Sequence, residues 1–420
     1  MVLRDYQQQA LDKILWEKQA GLEGNSLCIL PTGAGKSVVI AHLANSLKEP
    51  ILILQPSKEI LEQNFAKLSQ YVDRSKIGIY SASMNEKTIE FFTFATIQSI
   101  YMTPEKFAHF GLVIIDEAHL LNPKSSGMYK TFIEAIGSPK VIGFTATPYR
   151  MDSCYANLGK DENGNQQFKI TVATKLINRL KGHFWKRIMF AINMQQLIDK
   201  GYLCPLEYLD YAVINQDEIP PNKSLSDFDL DAYEKLITER KPTVKAAIEY
   251  AAKNSEHVLV FCSSVRQAEQ LSVEHDNSAV VSAKTPKKER DRIISEFKSG
   301  DIKTVFNVGV LTTGFDHPAL DCIVLLRPTR SIGLYYQMSG RGVRIFPGKK
   351  SCKIIDLSGT VKNLGRVETI QLVKQPNETG NVNWELLSET GSWHYRPLYS
   401  YKVTREKELV LEQYESIFNK

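Results

Sequence analysis

The stretch from Leu27 to Leu43 constrains this chain more than any other. It reads as an apolar run, Leu27-Cys28-Ile29-Leu30, then Pro31-Thr32-Gly33-Ala34-Gly35-Lys36-Ser37, then a second apolar run, Val38-Val39-Ile40-Ala41-His42-Leu43. That order predicts a buried strand, a glycine-rich loop and a helix. Gly33 and Gly35 let the backbone turn its N–H groups onto a phosphate, and the helix N-terminus adds partial positive charge. Lys36 is placed to reach β- and γ-phosphates, and the Ser37 hydroxyl to hold Mg²⁺. Leu30 stands where this pattern usually begins with glycine. A plain Gly-rich turn before a helix is the competing reading of the octet alone.

Short apolar runs recur downstream at 51–54, 91–95, 112–115 and 141–144, with helical stretches such as 57–68 between them. Strands covered on both faces of a parallel sheet have that look. Residues 4–19 have helical apolar spacing, and residues 1–150 read as one α/β domain. From 151 to about 187 there is no strand rhythm. Six basic residues (169, 175, 179, 181, 186, 187) stand there with no acid from Lys169 to Arg187, and Phe184 and Trp185 are interleaved. Lys181, Lys186 and Arg187 could bind phosphate backbone and an aromatic could stack on a base. A solvated face with its aromatics buried in the lobe is the alternative. Gly201 to Pro205 reads as a linker, closing a 151–205 insertion.

A second strand rhythm occupies 206–360, with runs at 258–261, 279–281, 304–308, 323–326 and 353–356 and helices at 264–274 and 286–298. This second α/β domain has no glycine-rich phosphate loop. Residues 361–420 form a neutral, aromatic extension that ends in an expected amphipathic helix, Glu406 to Phe418. At 420 residues there is room for two or three domains with proper cores. A net charge of +5 permits a nucleic-acid partner without demanding one. The six cysteines are scattered without a C-x-x-C pair, which argues against structural zinc or a disulfide framework and for a reducing cytoplasm. Neither a signal peptide nor a membrane span is expected.

Leu112-Val113-Ile114-Ile115-Asp116-Glu117-Ala118-His119 sets two carboxylates directly after a buried strand. The carboxyl ends of parallel strands are where ligands bind. Asp116 is placed to hold Mg²⁺, and Glu117 to orient and deprotonate the water that attacks a γ-phosphate. Capping of the next helix is the bland reading of the same pair.

Asp-Glu-Ala-His after a strand, with Pro-Thr-Gly-Ala-Gly-Lys-Ser before it, resembles superfamily 2 helicases of the DEAH type. The resemblance implies two tandem RecA-like lobes with ATP and Mg²⁺ in the cleft between them. Arg4-Asp5-Tyr6-Gln7 resembles the adenine-reading motif, with Gln7 on the base edge and Arg4 supporting it. Gln55-Pro56-Ser57-Lys58 and Thr96-Ile97-Gln98-Ser99 resemble nucleic-acid motifs, implying contacts from Pro56, Ser57, Thr96 and Gln98. Thr145-Ala146-Thr147-Pro148 resembles the motif that couples hydrolysis to strand binding, with His119, Thr145 and Thr147 as its coupling residues.

In the second lobe, Ser263 resembles a backbone-contacting position. Thr312-Thr313-Gly314-Phe315-Asp316 resembles a motif with Thr312 and Thr313 near phosphate and Gly314 and Asp316 near the nucleotide. Gln337-Met338-Ser339-Gly340-Arg341-Gly342-Val343-Arg344 matches Q-x-x-G-R-x-x-R, which implies Gln337 in the catalytic set and Arg341 and Arg344 as fingers on the γ-phosphate. Thr-Ala-Thr-Pro and Gln337-Met338 differ from the entries usual in DEAD-type RNA helicases, so the resemblance leans to DNA. Gly201-Tyr202-Leu203, 308–316 and Leu326-Arg327-Pro328-Thr329 resemble RadD-like bacterial helicases and phage helicases that remodel branched DNA, without the cysteine-rich zinc module of that group. An ATP-dependent helicase or translocase on single-stranded, forked or branched DNA is the function implied, in recombination, repair or replication. Protein partners are not indicated. An RNA helicase, a duplex translocase subunit of a restriction or remodelling complex, and a nucleotide switch are the alternatives. The switch leaves the second lobe and its arginine pair without a task.

Overall fold

A computed structural model describes residues 2–121, 127–160, 162, 166–180, 182, 184–210, 213–223, 226–312, 314–376, 382–392, 397–403 and 409–411. Two parallel sheets dominate it. In the first, the order is Trp185–Ala191, Asn25–Ile29, Lys140–Thr145, Leu112–Asp116, Ile51–Gln55, Phe92–Thr96, Ile77–Ser81 and Glu86–Lys87, and only the last pair is antiparallel. In the second, the order is Leu206–Asp210, Cys352–Asp356, Cys322–Leu326, Val258–Cys262, Thr304–Val308 and Ser278–Ser282, parallel throughout. Strands such as Ile51–Gln55, Leu112–Asp116 and Cys322–Leu326 are buried at every position, as helices on both faces require. The expected α/β class with two parallel-sheet lobes is what the chain adopts.

In both lobes the loops at the carboxyl ends of the strands carry the residues singled out above. Lys36–Ser46 starts one residue after Gly35, and Lys58–Leu68 starts after Ser57, whose hydroxyl accepts the Ile60 N–H at 3.4 Å. Ile332–Ser339, capped by Ser331, brings Gln337 and the arginine segment up to the first lobe.

The 151–187 stretch differs from expectation. Tyr149–Lys160 and Gln166–Leu176 form an antiparallel hairpin, and Trp185–Ala191 adds an edge strand beside Asn25–Ile29. An antiparallel ribbon does not need the continuous apolar run that marks a strand covered on both faces, so its sequence carried no such rhythm. The extension differs too. Gln371–Pro376, Val382–Ser388 and Gly391–Ser392 make a small sheet, and Pro397–Val403 pairs with Gln166–Leu176. The insertion and the extension therefore share one four-stranded sheet. Leu409–Leu411 is its outer strand, against the helix expected from Glu406 to Phe418; the rest of that stretch lies outside the described residues. Among the described residues no helix is long and apolar enough to cross a membrane.

Candidate active site

The phosphate loop is held from below by the first helix. Tyr6 Oη donates to Ala34 O at 2.7 Å and Gln7 Nε2 donates to the same carbonyl at 2.9 Å. Gly33 and Gly35 have φ of 80° and 78°, a region side chains rarely enter, and a Cβ on Gly35 would sit 2.6 Å from Gln7 Nε2. Gln7, expected at a base edge, here has its amide on the loop, and its Oε1 accepts the Arg4 N–H at 3.0 Å. Arg4 lies on the Tyr202 ring, 4.8 Å from its centroid, and donates to Tyr202 O at 3.2 Å.

The two carboxylates expected to be catalytic, Asp116 and Glu117, face that loop. Lys36 Nζ pairs with Glu117 Oε1 at 2.7 Å. Glu117 takes a left-handed backbone, φ 49°, which a non-glycine residue holds only under local constraint. Asp116 Oδ1 accepts the Glu117 N–H at 2.9 Å, and Asp116 Oδ2 accepts Asn64 Nδ2 at 2.9 Å. Ser37 Oγ hydrogen-bonds to Asn64 Oδ1, so one amide joins Ser37 to Asp116. Asn64 carries no motif signature; the turn of the Lys58–Leu68 helix delivers it, and no local sequence pattern announced it.

Burial opposes charge on all these groups, yet they settle differently. Burial raises Asp116, and the neighbouring Glu117 charge adds to that against Lys36 and two hydrogen bonds. Burial also pushes Glu117 up, but Lys36 and His119 outweigh it and hold the carboxyl well below its ordinary range. Burial works against the Lys36 charge, and Glu117 and Asp116 overcome it, leaving the ammonium pKa raised.

His119 joins the lobes. Gln337 Nε2 donates to His119 Nε2 at 3.2 Å, which leaves the ring proton on Nδ1. That nitrogen faces Thr145 Oγ1 at 2.9 Å and Glu117 Oε2 at 3.3 Å. Thr145 Oγ1 also accepts the Thr147 N–H at 3.0 Å. The second lobe's Gly340–Arg344 segment sits directly on the loop. A Cβ on Gly33 would meet Leu203, Val343 and Arg344 at 3.1 to 3.5 Å, and one on Gly340 would meet Thr32 at 2.9 Å.

Each expected finger is held by its own lobe in this conformation. Arg341 donates to Phe315 O and Thr312 O, both at 2.6 Å, and Arg344 is ion-paired with Asp316. Burial brings both guanidinium pKa values down to about 10, so both stay cationic at neutral pH. Gly314 O accepts Gln63 Nε2 at 2.8 Å across the cleft.

The residues expected at nucleic acid follow strand carboxyl ends in both lobes. Pro56 and Ser57 are half-buried and Gln98 is exposed. Thr96 shares a hydrogen bond with Ser99 at 2.8 Å. Ser263 donates to Glu234 and Gln267 at 3.1 and 3.0 Å. Thr312 is buried, and Thr313 lies outside the described residues, as does Lys181. Lys186 and Arg187 are not brought to the site. Trp185 pairs with Asn25, so they lie toward the amino-terminal end of the sheet, opposite the loop. Arg187 binds the buried Glu17 at 3.2 Å, Lys186 is exposed, and Trp185 is buried, its ring 2.5 Å from where a Gly143 side chain would begin.

A phosphate loop in one lobe, an arginine segment from the other seated upon it, and an acid pair beside the loop lysine make up the candidate site. Residues 1–150 match the family described as "Type III restriction enzyme, res subunit", and residues 241–346 match "Helicase conserved C-terminal domain". The chain belongs to helicase superfamily 2. It is 27% identical over 388 residues to the Saccharomyces cerevisiae protein assigned as ATP-dependent helicase IRC3, covering 85% of this chain and 52% of that one. It is 26% identical over 364 residues to the DNA 3′-5′ translocase XPB2 of Sulfurisphaera tokodaii, covering 81% and 78%. The fold superposes on a fragment assigned as the HsdR subunit of a type I restriction enzyme from Vibrio vulnificus YJ016 with a TM-score of 0.63, 21% identity, and coverage of 91% and 68%. The chain thus spans about half the length of IRC3.

Proposed function

We propose that this chain is an ATP-dependent motor of the DEAH type that moves on DNA and separates or remodels its strands. The observation that carries the reading is the Gln337–His119–Glu117 contact series. It ties the second lobe's arginine segment to the carboxylate that would activate water, so nucleotide chemistry and lobe closure become one event. A single-lobed switch has no use for that link.

Arg4, Gln7, Gly314 and Asp316 take the base and ribose, and residues 32–37 take the phosphates. Lys36 exchanges Glu117 for phosphate oxygen, which frees the Glu117 lone pairs for the attacking water. Gln337 and His119 fix the carboxylate's position. Arg341 and Arg344 leave Thr312, Phe315 and Asp316 to neutralise the γ-phosphate, and that release passes to the strand-contacting loop at Thr312 and Thr313. Ser37 and Asp116 suit Mg²⁺, which prefers hard oxygen donors and keeps much of its water. Bound with ATP, that ion supplies charge neutralisation at the phosphates. Pro56, Ser57, Thr96, Gln98, Ser263 and Thr312 line the strand path. The lobes take 1–150 and 206–360, with the Trp185–Ala191 strand added to the first. Cys28, Cys204, Cys262, Cys322 and Cys352 are buried free thiols, which supports a reducing cytoplasm.

DNA over RNA is supported by the Thr145-Ala146-Thr147-Pro148 entry and by the likeness to a protein named as a DNA translocase. The RadD-like stretches support a role on forked or branched DNA in recombination or repair. A second reading, a translocase on duplex without strand separation, is favoured by the match to the restriction-enzyme family. Strand displacement on forked, four-way and blunt duplexes, run beside displacement of a triplex-forming strand, tests both. Unwinding of forked DNA with ATP is expected. Triplex displacement alone would favour the second reading, and stimulation of hydrolysis by RNA but not DNA would overturn both.

A further inference from the structure

Asn64 is buried at 4% exposure on the Lys58–Leu68 helix, and both ends of its amide are engaged between two residues of the phosphate site. Its Oδ1 accepts the Ser37 hydroxyl and its Nδ2 donates to Asp116 Oδ2 at 2.9 Å. A serine hydroxyl that gives its proton to Asn64 keeps its lone pairs for something else. An Asp116 carboxylate fixed at Oδ2 by Asn64 and at Oδ1 by the Glu117 N–H has its plane set. A carboxylate at position 64 would repel Asp116 and an aliphatic side chain would bond to neither, so the amide matches this pair of neighbours chemically.

We propose that Asn64 is a positioning residue for a divalent cation bound with nucleotide: it sets the proton direction of Ser37 and the orientation of Asp116 so that both present oxygen lone pairs to the ion. The inference rests on the reading of Ser37 and Asp116 as the cation's protein ligands. Partners that orient metal ligands are worth about 10- to 100-fold in metal affinity. Position 64 also follows Gln63, which bonds Gly314 O at 2.8 Å. One turn of helix therefore touches both the cation ligands and the second lobe.

The test is binding of a fluorescent ADP analogue to the full chain, titrated with Mg²⁺ and repeated in EDTA, for Asn64→Leu, Asn64→Ala and Ser37→Ala. Leu keeps the branched shape of Asn with bulkier methyl groups, and Ala leaves space should Leu not fold; thermal unfolding selects the variant to use. The Mg²⁺ concentration at half effect should rise about 10- to 100-fold in the Asn64 variant, with affinity in EDTA within about twofold of the parent. If Ser37→Ala moves the Mg²⁺ midpoint and the Asn64 variants do not, Asn64 has no positioning role. If affinity in EDTA falls by as much as affinity in Mg²⁺, Asn64 is merely structural and the proposal is wrong. If Ser37→Ala leaves the midpoint where it was, the cation-site reading itself fails.

Discussion

Asp116 and Glu117 are adjacent in the chain and buried together, yet their surroundings drive them in opposite directions. Lys36 and His119 hold Glu117 ionised, whereas burial and the Glu117 charge raise Asp116. Glu117→Gln keeps the shape and removes the proton acceptor. Hydrolysis should fall at least about 100-fold while ATP still binds, checked by single-turnover kinetics beside equilibrium binding; substantial residual turnover would remove Glu117 from the base role. A second residue-scale prediction concerns His317, buried against His257 and Phe297 at ring distances of 4.4 and 5.2 Å. Burial, aided by His257, brings its pKa down to about 4. The folded state therefore resists protonation that the unfolded state accepts from about pH 6.5. Its stabilising effect is complete above that pH and is lost progressively as pH falls toward 4. His317→Phe should flatten the fall in urea midpoint across that window; an unchanged slope would assign the acid loss elsewhere.

At the scale of elements, the residues that announced themselves lie within short contiguous stretches: a loop that must cradle phosphate, an acid pair after a strand, an arginine pair after a helix. Chemistry at one place demands neighbours in sequence there, so it is legible. Asn64 and Gln63 were not, because only the helix turn gives them their partners. Ile77–Ser81 and Leu206–Asp210 were missed as well: Gly78 interrupts one apolar run and charges at 207 and 210 interrupt the other. The basic stretch with Phe184 and Trp185 was legible as composition but not as placement. Its edge strand buries Trp185, half-buries Phe184 and binds Arg187 to Glu17. Trp185→Ala should cost about 3–5 kcal/mol of stability by urea unfolding, with DNA affinity of the folded protein unchanged. Lost DNA affinity without lost stability would restore a stacking role. Gln63→Ala should reduce the stimulation of hydrolysis by DNA more than the basal rate, since the hydrogen bond from Gln63 crosses to Gly314 of the second lobe; equal loss of both rates would contradict that assignment.

At the scale of the whole molecule, neither lobe holds a complete site. The first contributes Lys36, Ser37, Asp116, Glu117 and His119; the second lays Gly340–Arg344 over the loop and reaches His119 through Gln337. On the proposed reading, hydrolysis requires closure, and closure would move the strand held between the two lobes. The most direct measurement is steady-state ATP hydrolysis by the full chain with and without single-stranded DNA, in the parent and in Arg341→Ala. Single-stranded DNA should raise the parent rate at least tenfold. Arg341→Ala should lower the stimulated rate about 1,000-fold or more, with ATP affinity within about threefold. A parent rate indifferent to every nucleic acid, or an Arg341→Ala rate equal to the parent's, would contradict a motor whose site is completed across the cleft.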